Sequence, residues 1–470
     1  MSKKYLRKLT GGIHMFELKA TNENIENSLI TNSLDRNKTV FQFLKILYSL
    51  KEQYSLCIDG NWGTGKTFFV KQCVRTIELL NMDETTKKLE EYKTRLDTEF
   101  AEIQAQNEIF PVYFNAWEYD SNRDPLIAFI YSLINDVNLD LSISKDNGST
   151  TIIDKLKKLM SSFKFGATIT DEKTGMSYGT EIQYTPIDNP NILKEVTSIK
   201  NIEENFKGLL NDILPERANR VVIFIDELDR CNPIFAVKLL EHFKHFFNDN
   251  RFIFVFSTNI LELKNTINNF YGNNFNSSYY LQKFFDLQFE LPKVNLENYI
   301  NNHLKLSFTG WQEKIINGII HTFNFSLRDC NRYFSMYNFV YNYMIAAHLV
   351  ANKISHNLIK YVVFPILLAL KIKNLELYDK IVCGKAKDDF IKVIYFNDKF
   401  LDVINSATQD ISEQDMDIKL LLNDLYDNLF IKANVNYDTM MMNGKICIDQ
   451  VNVNTLKMML SFINDIITLS

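Results

Sequence analysis

The stretch CIDGNWGTGKTFFVKQ, residues 57–72, places Gly60 five residues before Gly65, with Lys66 and Thr67 next. G-x-x-x-x-G-K-[ST] is the spacing of a loop whose backbone amides close around phosphates. Glycine permits the positive φ angles that turn successive N–H groups inward, and the following helix adds its dipole. Gly60, Gly63 and Gly65 supply that curvature, and Asn61, Trp62, Thr64 and Phe68 complete the lining of the cradle. In this reading Lys66 reaches the outer phosphates and the Thr67 hydroxyl takes one Mg²⁺ position, so ATP and Mg²⁺ are the expected ligands. The flanks suit the loop. YSLCI (54–58) reads as a short apolar strand before it, and FFVKQCVRTIELL continues at helical spacing after it.

A metal carboxylate and a water-activating base have to come from elsewhere in the chain. Two continuous apolar runs, VVIFIDE (221–227) and FIFVFSTN (252–259), look like parallel strands covered on both faces. The first ends in Asp226, a candidate metal ligand, and Glu227, a candidate general base. Asp-Glu order favours hydrolysis over phosphoryl transfer to a metabolite. Asn259 ends the second run and is placed to orient water or sense a γ-phosphate. PVYFNAW (111–117) is a further strand whose end brings Asn115, Trp117 and Glu118 to the same crevice, because ligands of open α/β sheets gather at carboxyl ends. FFDLQFELP (284–292) makes a fifth strand candidate. Arg230, Arg328 and Arg332 are the cations available to transition-state charge; the last two, four residues apart, share one helical face.

Around these, residues 30–53 read as a loop entering an amphipathic helix with Val40, Phe43, Leu44, Leu47 and Leu50 on one side. Asn232-Pro233 looks like a helix cap and first position, followed by the packed face of Ala236, Leu239, Leu240, Phe243 and Phe247. The charged segment 81–106 reads as a solvated or coiled-coil-like excursion, and residues 141–200 as a polar insertion with a hairpin in FKFGATITDEKTGMSYGTEIQYTP and a lysine face of Lys155, Lys157 and Lys158. From about 295 onward the pattern is helical. The division expected is an extension (1–29), a nucleotide core (30–294) with insertions near 81–108 and 141–200, a helical lid (295–375) and a helical C-terminal domain (376–470).

Composition limits the function classes. With 52 basic and 57 acidic residues the formal charge is −5, and no run of like charge offers a nucleic-acid or anionic-membrane footprint. Six scattered cysteines lack zinc-site spacing, which suits reduced thiols in a cytoplasmic protein. No apolar segment follows the basic N-terminus, and YVVFPILLAL (361–370) is about half the length of a spanning helix. Neither a leader nor a membrane span is expected.

Together GNWGTGKT (60–67), VYFNAWEYD (112–120), VVIFIDELDRC (221–231), FVFSTN (254–259), YYLQKFFDLQFELP (279–292) and SLRDCNRYF (326–334) resemble the KAP family of P-loop NTPases. The resemblance covers roughly residues 30–340. It implies an ATPase of the additional-strand, catalytic-glutamate type with a parallel five-stranded sheet in the order 5-1-4-3-2 and a helical lid. Residue by residue it makes Lys66 and Thr67 the phosphate and Mg²⁺ ligands, Asp226 the metal carboxylate, Glu227 the base, Asn259 the sensor and Arg328 a lid arginine. It further implies a bacterial antiphage setting, a homo-oligomer and a separately encoded effector. Two other readings stay open: a nucleic-acid-stimulated motor or loader, and a slowly hydrolysing ATP-bound scaffold.

Overall fold

The computed structural model describes residues 19–81, 89–104, 109–121, 124–126, 128–129, 131–132, 169–170, 177–178, 220–246, 249–300, 310–346, 358–395, 397–408, 417–431, 439–442, 446–449, 454, 456–458 and 461. The chain divides into two compact units, Ala20–Lys293 and a second built from Val294–Ser470.

Five strands organise the first unit: β1 (Tyr54–Asp59), β2 (Ile109–Asn115), β3 (Arg220–Asp226), β4 (Phe252–Thr258) and β5 (Leu287–Glu290). They form one sheet in the order β2-β3-β4-β1-β5. Every pair is parallel, with Asn115 opposite Asp226, Asp226 opposite Ser257 and Asp59 opposite Thr258. This is the 5-1-4-3-2 order implied by the motif resemblance. The register brings five polar strand ends to one edge of the sheet.

Burial explains the apolar runs. Each residue of β3 and β4 is buried, so both faces must be covered. Val221, Ile223, Ile225, Phe252, Phe254 and Phe256 share one face with Ala236, Leu239, Leu240 and Phe243 of α5 (Pro233–Phe246). There the Phe243 ring meets Phe254 edge-on at 5.3 Å. On α3 (Lys66–Leu80), Phe69 packs beside Phe43 of α2 (Asn37–Ser49) and stacks at 6.2 Å on Phe289 of β5. α1 (Asn22–Thr31) and α6 (Ile260–Tyr271) complete the described α/β core.

One segment differs from the sequence reading. The charged region around 81–106 is not merely a solvated excursion. Its helix α4 (Glu90–Gln104) buries Tyr92, Leu96 and Phe100, and the Phe100 ring sits 5.7 Å from Phe41 and 6.0 Å from Tyr48. Sparse apolar residues at helical spacing were outvoted by the surrounding charges. In the polar insertion the hairpin is present as Ile169–Thr170 paired antiparallel with Ser177–Tyr178; Lys155, Lys157 and Lys158, like Phe247, lie outside the described residues.

The second unit is mostly helical, with Gly310–Thr322, Leu327–Ala346, Phe364–Lys373, Leu375–Val382, Lys387–Tyr395, Asp398–Thr408 and Ile418–Tyr426 as its main helices. Gly318 permits one close crossing, because a Cβ there would lie 2.5 Å from the Phe400 ring. The run YVVFPILLAL is core: Val362 through Leu370 are all buried. Among the described residues no helix is long and apolar enough to cross a membrane. An antiparallel pair, Thr439–Met442 with Ile446–Asp449, interrupts the helical reading. Asn443-Gly444 between two apolar runs was the available signal for it.

Candidate functional site

At the end of β1 the chain turns through Gly60–Gly65 into α3. Gly63 (φ 80°) and Gly65 (φ 85°) occupy the left-handed region that only glycine enters without cost. Thr64 closes the turn, its amide and its hydroxyl both donating to the Asn61 carbonyl at 3.3 and 2.8 Å. Helix α3 therefore begins at the loop with no side-chain cap, and the N–H groups of a first helical turn are what attract a compact anion. Lys66 folds over this loop, and its Nζ donates to the carbonyls of Gly60 (2.6 Å) and Asn61 (3.3 Å). Burial lowers its pKa, while Asp229 and Asp226 pull it back up. The ammonium is thus held by groups a phosphate can replace. Phe68 points its side chain into the core and offers the site only its backbone.

The opposite wall is the end of β3. Asp226 is fully buried and accepts hydrogen bonds from Tyr113 Oη at 3.2 Å and from the Glu227 amide at 3.0 Å, while the nearby Thr67 and Ser257 hydroxyls favour its charged form. Burial raises its pKa despite these donors. The Tyr113 hydroxyl is pushed strongly up, first by burial and then by Asp226 itself. A buried carboxylate in no ion pair among the described residues favours a metal ion at this position. Thr67 and Asp226, with the phosphate oxygens and water a nucleotide would bring, would suit a hard divalent cation such as magnesium.

Glu227 follows at φ 61°, ψ 28°, a conformation that costs a non-glycine residue roughly 1 kcal/mol or more. Its carboxylate is gripped by Arg230 Nη1 at 3.1 and 3.2 Å. The Arg230 guanidinium also lies 5.1 Å from the Trp117 ring, which is 48 % exposed and so is not a core residue. Asn115 ends β2 beside Asp226, its buried Oδ1 without a hydrogen-bond donor, and Glu118 follows in the short 3₁₀ turn Ala116–Tyr119. Asn259 caps α6: its Oδ1 accepts from the amides of Leu261 (3.1 Å) and Glu262 (3.4 Å), which leaves only its amide nitrogen for a ligand. Arg328 and Arg332 are exposed on Leu327–Ala346 in the second unit, with Asp329 between them bound by Lys373 at 2.9 Å.

Two residues escaped the sequence reading. Asp229 is buried in the turn after Glu227; it accepts Trp62 Nε1 at 2.5 Å and the Thr258 hydroxyl at 3.1 Å. It thereby pins the glycine loop to the ends of β3 and β4 and acts more strongly than Asp226 on the Lys66 charge. The DELD pattern held the signal, since a second acid three residues on shares one side of a helical turn. The other residue, Arg36, is buried behind the loop and carried no signal at all.

A glycine loop between a strand and a helix, facing a buried acid at the end of a parallel strand two places away in the sheet, defines a P-loop nucleotide-binding domain. The family model for the KAP family P-loop domain matches residues 36–345, and the chain belongs to that family. A comparison with curated proteins gave no match.

Proposed function

We propose that the chain binds ATP with Mg²⁺ and hydrolyses it. The observation that carries this is the convergence of the glycine loop on the end of β3, where Trp62 donates to Asp229 and the buried Asp226 carboxylate acts on Lys66 and is acted on by Thr67, across about 160 residues of sequence. Magnesium bound there by Thr67 and Asp226 would supply charge neutralisation for the outer phosphates. Lys66 leaves the Gly60 and Asn61 carbonyls for the β- and γ-phosphates. Glu227 polarises the attacking water, and Arg230 serves its own site, because it already holds Glu227 and lies over Trp117. Gly60, Asn61, Trp62, Gly63, Thr64, Gly65 and the Phe68 amide line the phosphates. Asn259 acts through its free amide nitrogen, and Arg328 as a lid arginine on the motif resemblance.

The wider setting is inferred from that resemblance alone. It is a nucleotide-driven switch in the bacterial cytoplasm, forming a homo-oligomer and controlling a separately encoded effector in antiphage defence.

Purified protein with ATP and Mg²⁺ tests the chemistry. Lys66→Ala should lose nucleotide binding. Glu227→Gln should still bind and turn over about 10²- to 10³-fold more slowly, as expected when one preorganised group is removed from a polar transition state. Equal turnover by the wild type and both variants would remove the proposal. For the setting, phage plating on cells carrying the gene with its neighbours, wild type against Lys66→Ala, should differ; equal plating removes it.

A further inference from the structure

Arg36 sits one residue before α2 and is 2 % exposed. Its Nη2 donates to the carbonyls of Thr64 (2.9 Å) and Pro292 (2.9 Å), and its Nη1 donates to the carbonyl of Gly65 (3.2 Å). No carboxylate pairs with it among the described residues, and its Nε has no acceptor. Burial draws its pKa down to about 10, so the guanidinium remains charged at neutral pH. A buried cation balanced only by carbonyl dipoles is expensive. Ordinary helix entry does not require one.

Peptide geometry shows what the arrangement accomplishes. In a planar trans peptide the C=O of one residue and the N–H of the next point in opposite directions. Holding the Thr64 carbonyl away from the crevice aims the Gly65 N–H into it, and holding the Gly65 carbonyl does the same for Lys66. Gly65 is where such restraint matters most, because at φ 85° with no Cβ its flanking peptides can rotate freely. Among the described residues the only other donor to its carbonyl is the Phe69 amide at 3.0 Å. The third contact ties the same cation to Pro292, just past β5, so the loop is braced against the sheet edge.

We propose that Arg36 is a positioning residue for the nucleotide phosphates: from behind the loop it locks the two peptides whose N–H groups meet the β-phosphate, and adds a buried positive charge there. The inference rests on the reading of this loop as a nucleotide site. Arg36 itself touches no ligand.

Titration of ADP and AMP against the full chain tests it, with Arg36→Met, Arg36→Lys and Asn37→Ala as variants and a thermal melt of each. Asn37 is the control for general damage: it is equally buried at the same helix start, and its Nδ2 donates to the Leu29 carbonyl at 2.6 Å. Arg36→Met should weaken ADP by about 10- to 100-fold, the scale of lost charged hydrogen bonds, and AMP, which lacks the β-phosphate, much less. Arg36→Lys should recover part of the loss, since an ammonium reaches the same carbonyls without the fork. Asn37→Ala should melt lower yet bind ADP as the wild type does. ADP affinity of Arg36→Met within about twofold of wild type, or an equal loss in Asn37→Ala, overturns the proposal. If Arg36→Met does not fold, wild-type ADP affinity in Arg36→Lys overturns it equally. Failure of the wild type to bind ADP would instead overturn the nucleotide-site reading, and this inference with it.

Discussion

Between Val221 and Ile225, and between Phe252 and Phe256, the two central strands bury apolar side chains on both faces. Within three residues the same strands give way to a buried acid, a left-handed glutamate and a capping asparagine. The difference shows where stability and chemistry are separated. The middle of the sheet is packed aromatic surface that favours folding. Its carboxyl edge holds Asp226 in no ion pair among the described residues, Glu227 in strained backbone and Lys66 partly desolvated, each of which opposes folding. Strained, under-satisfied groups persist because the strands beneath them are over-determined.

The contrast can be broken at either end. The largest stability change should come from the middle: Phe254→Ala removes a ring packed against Phe243 and Phe252 and should cost about 3–5 kcal/mol, read by denaturant unfolding of the first unit's transition. A loss under about 1 kcal/mol would mean that the strand core does not carry the fold.

Asp226→Asn should do the reverse. Burial raises the Asp226 pKa in the folded protein, so the unfolded chain ionises first as pH rises. The penalty is absent below the ordinary carboxylate range, grows as pH rises through it, and is fully present once the folded-state carboxyl has also ionised. The variant should therefore melt above wild type in ligand-free protein at neutral pH, with the gap closing on acidification. Mg²⁺ with nucleotide should stabilise wild type and not the variant. A variant that melts lower at neutral pH would show that the hydrogen bonds from Tyr113 and the Glu227 amide outweigh desolvation.

Glu227→Gly should give the smallest stability change. It relieves roughly 1 kcal/mol of backbone strain and gives up an ion pair with Arg230 worth at most about 1 kcal/mol at this exposure, so melting should hardly move. Turnover should nonetheless be lost. A substantial drop in melting temperature would place Glu227 among the residues that hold the fold, and would blur the division between strand middle and strand end.

Much of this was legible. Short apolar runs ending in polar residues read as strands covered on both sides, and glycine spacing beside a lysine restricts a loop to few backbone paths. The sheet order came from motif resemblance rather than from periodicity, because alternation along a strand says nothing about its neighbours. The burial of Tyr92, Leu96 and Phe100 was hidden by flanking charge. The hairpin at 439–449 was missed although Asn443-Gly444 announced it. The sequence put Trp117 at a strand end facing the crevice, and the exposed ring beneath Arg230 fits that position.

By itself the chain of residues determined the local devices: the glycine turn, the strand ends bearing Asp226 and Glu227, and the caps before α5 and α6. These are short-range, set by φ preference, side-chain period and hydrogen bonds within a few residues. Only the tertiary structure decided which distant groups share a partner. Trp62 finds Asp229 across 167 positions, and Arg36 finds Thr64, Gly65 and Pro292. Such contacts depend on the parallel register of strands far apart in sequence, and an arginine or aspartate reads the same on the surface as it does behind a phosphate loop.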